Sequence, residues 1–178
     1  QKENRIHLYG NHDIHYIFLN PSMMCSGFTP AKASVIFAKF ASHEKLLSKL
    51  KWFYFSNNWL FTHAGVSSYF HKDCNLIQFL ENEVITADRC ARADRSHWFY
   101  QIGRSRGGYA ACGGLTWCDF GDFKPIQGVK QCFGHTPLRN PEFINEENLC
   151  LDTVTGGVYA VVTDGNIKVF RCPLDWKG

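Results

Sequence analysis

No run of lysines and arginines appears in this 178-residue chain, and its net charge is only +3 with histidine neutral. Without a basic stripe or tract, no binding to nucleic acid is expected. Nor does any stretch reach the roughly 18 apolar residues of a membrane span, and no charged leader precedes an apolar core. Membrane contact is therefore not expected. Eight cysteines are present (Cys25, Cys74, Cys90, Cys112, Cys118, Cys132, Cys150 and Cys172), yet no two stand in C-x-x-C spacing. That excludes a zinc ribbon, and a chain of this length does not need disulfide staples. Most of the cysteines read instead as buried thiols in a reducing, cytoplasmic setting, where Cys behaves as a small hydrophobe. Internal repeats, low-complexity segments and linkers are also lacking, so residues 1–178 are read as one domain.

What is present is an apolar and unusually aromatic composition. Hydrophobic residues make up 45% and aromatics 15%, with 15 phenylalanines, enough for a core built on phenyl rings. Ile6 to Tyr9 reads as a short strand ending at Gly10. Thr29-Pro30 is an N-cap followed by proline in the first turn. Ala33, Ile36, Phe37, Phe40, Leu47 and Leu50 fall near one helical face, predicting one helix or two short ones over 30–50. Lys45, Lys49 and Lys51 suit its C-terminal end. Aromatic runs at 52–55 and 59–61 flank Ser56-Asn57-Asn58 and predict a hairpin. A helix is expected over 75–83 and partial helix over 87–106. Strands are expected at 115–117, 129–133 and 148–151. The last two, 159–162 and 167–170, meet around Asp164-Gly165, a strong hairpin signal. Helices alternating with strands, then a strand-rich second half, predict a mixed α/β layered sandwich.

Three histidine motifs punctuate this pattern: Gly10-Asn11-His12-Asp13, Phe61-Thr62-His63-Ala64-Gly65 and Phe133-Gly134-His135-Thr136-Pro137. Each reads as a strand end breaking into a glycine-containing loop. An amide oxygen from Asn11 and imidazoles from His63 and His135 can converge on one divalent ion, with His12 beside it as a proton donor. Nitrogen with oxygen ligands suits manganese, iron or zinc better than calcium. Such an ion polarises a phosphoryl oxygen, which points to phosphate-ester hydrolysis. Taken singly, each motif is equally at home as a turn or a satisfied surface histidine.

In this order the motifs resemble those of the calcineurin-like metallophosphoesterases, nearest the Ser/Thr protein phosphatase-type branch and its bacterial and phage relatives. The resemblance extends to Leu151-Asp152-Thr153 with Gly156-Gly157 and the strand at 159–162, so it spans 6 to about 170. It implies an αββα metallophosphoesterase sandwich, a pair of divalent ions (Mn, Fe or Zn) and a phosphorylated substrate. It also implies that Asn11, His63 and His135 ligate the second metal and that His12 protonates the leaving oxygen or holds the substrate phosphate. Arg106 and Arg104, in Gly103-Arg104-Ser105-Arg106-Gly107-Gly108, become candidates for clamping phosphate, since the guanidinium fork matches it. A solvated Arg/Gly loop explains the same segment equally well. Trp117-Cys118-Asp119 stands where relatives often follow Trp with a phosphate-contacting arginine, and no arginine is there.

Two further motifs of that family, D-x-H and G-D-x-x-D-R-G, are absent, apart from an Asp13-Ile14-His15 that overlaps the first histidine motif. In the family they carry the ligands of the first metal and the bridging aspartate. The expectation is a sandwich incomplete at its N-terminal side, completed by a separate segment or a homodimer, and inactive alone. The alternatives are a fold-retaining binding or regulatory protein without catalysis, or a hydrolase of dinucleoside polyphosphates.

Overall fold

The computed structural model describes residues 5–73, 75–154 and 156–172; Cys74, one of the expected buried thiols, lies outside them. It is a mixed α/β structure. Strand β1 (His7–Leu8) runs into helix α1 (Asn11–Phe18), then α2 (Pro30–Ala41) and α3 (Glu44–Leu47). Strands β2 (Leu50–Lys51), β3 (Phe53–Ser56) and β4 (Trp59–Thr62) follow, then the long helix α4 (Leu76–Arg92). The second half holds β5 (Lys130–Phe133), β6 (Glu142–Asn145), β7 (Asn148–Cys150), β8 (Val158–Thr163) and β9 (Asn166–Arg171).

The central sheet has the order β3-β4-β5-β7-β6, with β4-β5 and β5-β7 parallel and antiparallel pairs at both edges. Side chains alternate across its two faces. One face presents Trp59, Cys132 and Leu149 to the β8–β9 hairpin, which covers them with Ala160, Val162, Ile167 and Val169. From the other, Leu60 joins a core with Ile14 of α1 and Leu76, Leu80, Ala87 and Ala91 of α4. Phe133 and Cys150 pack with Ala64, Cys112, Cys118 and Phe123. Hairpin, sheet and helices thus form successive layers. A small parallel pair, β1 with β2, stands apart from the sheet.

Several local expectations need correction. Gly10-Asn11 does not open an irregular loop: Gly10 is the N-cap of α1, and its N–H donates to Asp13 Oδ2 at 3.0 Å. The 30–50 segment is two helices, one of the two forms expected, but Phe37, expected on the buried face, is 47% exposed. Lys51 is in strand β2 rather than a helix. Residues 115–117 form a turn, with Trp117 and Cys118 N–H both donating to Gly114 O, although Leu115 is fully buried. Strand β6 has no counterpart in the expected pattern.

Candidate functional site

Two parallel strands and one helix start deliver the site. β4 ends at Thr62 and β5 at Phe133, so His63 and His135 follow the C-terminal ends of two adjacent parallel strands, on the same side of the sheet's strand ends. Gly134 N–H donates to His63 O at 2.8 Å, tying the two loops together. Asn11 is the first residue of α1, and Gly10 before it touches the His63 ring. A Cβ at Gly10 would lie 3.2 Å from His63 Cε1 and Nδ1, closer than ordinary van der Waals contact. Behind His63, Gly65 takes φ +88° and has no room for a side chain, since a Cβ there would meet the Phe123 ring at 2.8 Å.

Asn11 Oδ1 and His135 Nδ1 both face His63 Nε2, at 2.9 and 3.1 Å. Asn11 is buried and both imidazoles are half-buried. Burial pushes His63 down to about 4; Asp13 opposes this shift and His12 adds to it. His135 is lowered to about 3 by burial, then by His63 and Arg106. Both rings are therefore neutral at pH 7, the form that donates a lone pair to a metal. His135 also holds φ +75°, a left-handed conformation uncommon outside glycine, and its buried Nε2 has no hydrogen-bond partner.

One proton on His63 Nε2 cannot serve both neighbours fully, because Asn11 Oδ1 is an acceptor and His135 Nδ1 accepts unless protonated. A cation between the three would satisfy all of them. Ligands about 2.1 Å from an ion and at right angles are about 3 Å apart, which matches the spacings here. The donor set, two imidazoles and an amide oxygen, therefore fits a divalent ion. The set itself, one Asn and two His, contains no carboxylate, and among the described residues no group of three or more His, Cys, Asp or Glu side chains could hold a metal ion.

His12 is exposed and close enough to affect both site histidines. Arg106 is at the rim: its Nη2 donates to Thr136 Oγ1 at 2.8 Å and its Nε lies 2.7 Å from Asp119 Oδ2. Phe120 N–H also donates to Thr136 Oγ1, at 3.0 Å. Asp119 and Thr136 thus orient the guanidinium, a role not read from sequence. The only sequence signal was their place in Trp-Cys-Asp and Gly-His-Thr-Pro. Arg104 is exposed, and no side-chain bond holds it toward the histidines among the described residues. Trp117 packs edge-on against His135, ring centroids 5.6 Å apart.

No family model matches this chain, and no curated protein or solved structure matches it.

Proposed function

We propose that the chain forms the second-metal side of a binuclear metallophosphoesterase site and serves the hydrolysis of phosphomonoesters or phosphoproteins. The convergence of Asn11 Oδ1 and His135 Nδ1 on His63 Nε2 carries this reading. These three atoms would hold one manganese, iron or zinc ion. When bound, such an ion polarises a phosphoryl oxygen and acidifies a coordinated water. His12, exposed beside the histidine pair, gives a proton to the leaving oxygen. Arg106, anchored by Asp119 and Thr136, grips a non-bridging phosphoryl oxygen; Arg104 belongs to the outer rim.

The layering of hairpin, five-stranded sheet and helices supports assigning the fold to the αββα sandwich of the calcineurin-like enzymes. The first metal's carboxylates would come from another segment or chain. Free thiols at seven described cysteines suit a reducing cytoplasmic setting, and no helix among the described residues is long and apolar enough to cross a membrane. A second reading, a binding protein that keeps the fold without catalysis, is favoured by the absence of a carboxylate from the converged set.

Calorimetric titration with manganese or zinc tests the proposal. One weak site per chain is expected, lost in His63→Ala and in His135→Ala. Turnover of p-nitrophenyl phosphate by the chain alone should be negligible, and should arise when a segment bearing D-x-H and G-D-x-x-D-R-G is supplied. In that complemented protein His12→Asn should leave metal content intact and lower kcat by about 10²–10⁴-fold. Metal bound but no activity on complementation would favour the binding protein; no metal at all would refute both the site and the function.

A further inference from the structure

Beneath the histidine loops, Cys112 and Cys118 face each other with their sulphurs 3.9 Å apart. Both are buried, at 3% and 1% exposure, in the cluster that also holds Ala64, Phe123, Phe133 and Cys150. The loop joining them turns tightly. A Cβ at Gly113 would lie 2.0 Å from Trp117 O, and Trp117 and Cys118 N–H both fold back to Gly114 O. We propose that Cys112 and Cys118 are a redox-modification site, a dithiol that hydrogen peroxide converts to an intraloop disulfide. A disulfide requires the sulphurs to approach by only about 1.9 Å, within the reach of χ rotation.

The two thiols are not equivalent. The neighbouring Cys118 thiol lowers the Cys112 thiol; burial and the Asp122 carboxylate oppose this shift, and Ser67 and Lys124 add to it. The Cys112 sulphur and burial push Cys118 up, so of the pair Cys112 is the nucleophile. Its sulphur attacks one peroxide oxygen, the O–O bond breaks, and water leaves a sulfenic acid. The Cys118 sulphur then attacks Cys112 Sγ, the S–O bond breaks, and a second water departs. Two thiols lose two electrons, the peroxide gains them, and both thiol hydrogens end in water.

Closing the bridge displaces Cys118, whose neighbours are Trp117, packed on His135, and Asp119, paired with Arg106. The inference does not depend on the phosphoesterase reading, because its readouts are chemical and spectroscopic. The 178-residue chain is treated with hydrogen peroxide, its remaining thiols are alkylated, and tryptic peptides are mapped. Lys124 precedes Pro125, so both cysteines fall in one peptide from Gly107 to Lys130 with no other cysteine except those two.

That peptide should lose two hydrogens and resist alkylation until dithiothreitol is added, and near-ultraviolet circular dichroism from Trp117 should change and recover in step. Cys150→Ser should behave as wild type. Cys118→Ser should stop at a sulfenic acid on Cys112 that dimedone traps. Alkylation of both cysteines after other thiols have oxidised, or a Cys112–Cys150 bridge, would overturn the proposal.

Discussion

At the scale of single residues, the proposed metal site is built from neutral side chains only. Asn11, His63 and His135 offer lone pairs without negative charge, so in the proposed site affinity for a divalent ion would be limited by electrostatics. Asn11→Asp should therefore bind manganese about tenfold more tightly than wild type, roughly 1.4 kcal/mol, whereas Asn11→Leu should abolish binding. Calorimetry on the pair tests this, and a weaker-binding aspartate would show that the amide is not a ligand. Elsewhere a single amide acts purely structurally. Asn20, fully buried, donates to Ala91 O at 3.2 Å and Arg95 O at 3.1 Å beyond the end of α4, and accepts from Ser22 N–H at 2.9 Å. Asn20→Ala leaves those groups unmatched and should cost about 1–3 kcal/mol in urea unfolding without altering metal binding.

Among the elements, the hairpins follow from backbone angles that few residues tolerate. Asn57 and Asn58, joining β3 and β4, take φ +50° and +63°, and Asp164 and Gly165, joining β8 and β9, take +50° and +74°. Two successive left-handed residues make the turn whose twist matches paired strands, and Asn, Asp and Gly are the residues that adopt it cheaply. Asn58→Ala should thus destabilise by about 1 kcal/mol and Asn58→Gly should be close to neutral, measured as shifts in the unfolding midpoint; equal effects would place the cost elsewhere. The same locality explains what the sequence disclosed. Both hairpins, β5, β7 and the helix start at Thr29-Pro30 are signalled by neighbouring residues. Helix α1 is not, because Asn11, His12 and Asp13 are ordinary turn residues, and its formation depends on burying Ile14 and Tyr16. Leu115-Thr116-Trp117 reads as a strand by composition, but Gly113 and Gly114 pack so closely that the chain turns instead. That Asn11, His63 and His135 meet was legible from the order and strand-end setting of the three motifs. The Arg106–Asp119–Thr136 contact was not, because its members are separated in sequence and only the fold pairs them.

For the molecule as a whole, titration sets bounds on both sides of neutrality. Burial lowers the folded-state pKa of His15 and His97, of His63 to about 4 and of His135 to about 3. At His15 burial and then His12 lower it, and Nδ1 accepts from Cys25 N–H at 3.0 Å, a bond that a protonated ring would lose. The unfolded chain binds these protons near pH 6.5 and the folded chain does not. Stability is therefore complete above about 6.5 and is lost as pH falls toward the folded values, by up to ~1.4 kcal/mol per pH unit for each proton in question. The buried thiols work in the other direction. Burial raises Cys132 to about 12 and Cys150 to about 11, so their contribution is present below about 8.5 and is lost as pH climbs toward those values. The expected profile for the chelator-treated, reduced protein is a dome with its top between about 6.5 and 8.5. Urea unfolding across pH 4–10 measures it. His15→Gln, which cannot take up a proton, should flatten the acid limb in part, and Cys132→Ala should flatten the alkaline limb. An acid limb unchanged in the His15 variant, or stability that keeps rising below pH 6, would contradict the buried neutral state assigned to these histidines.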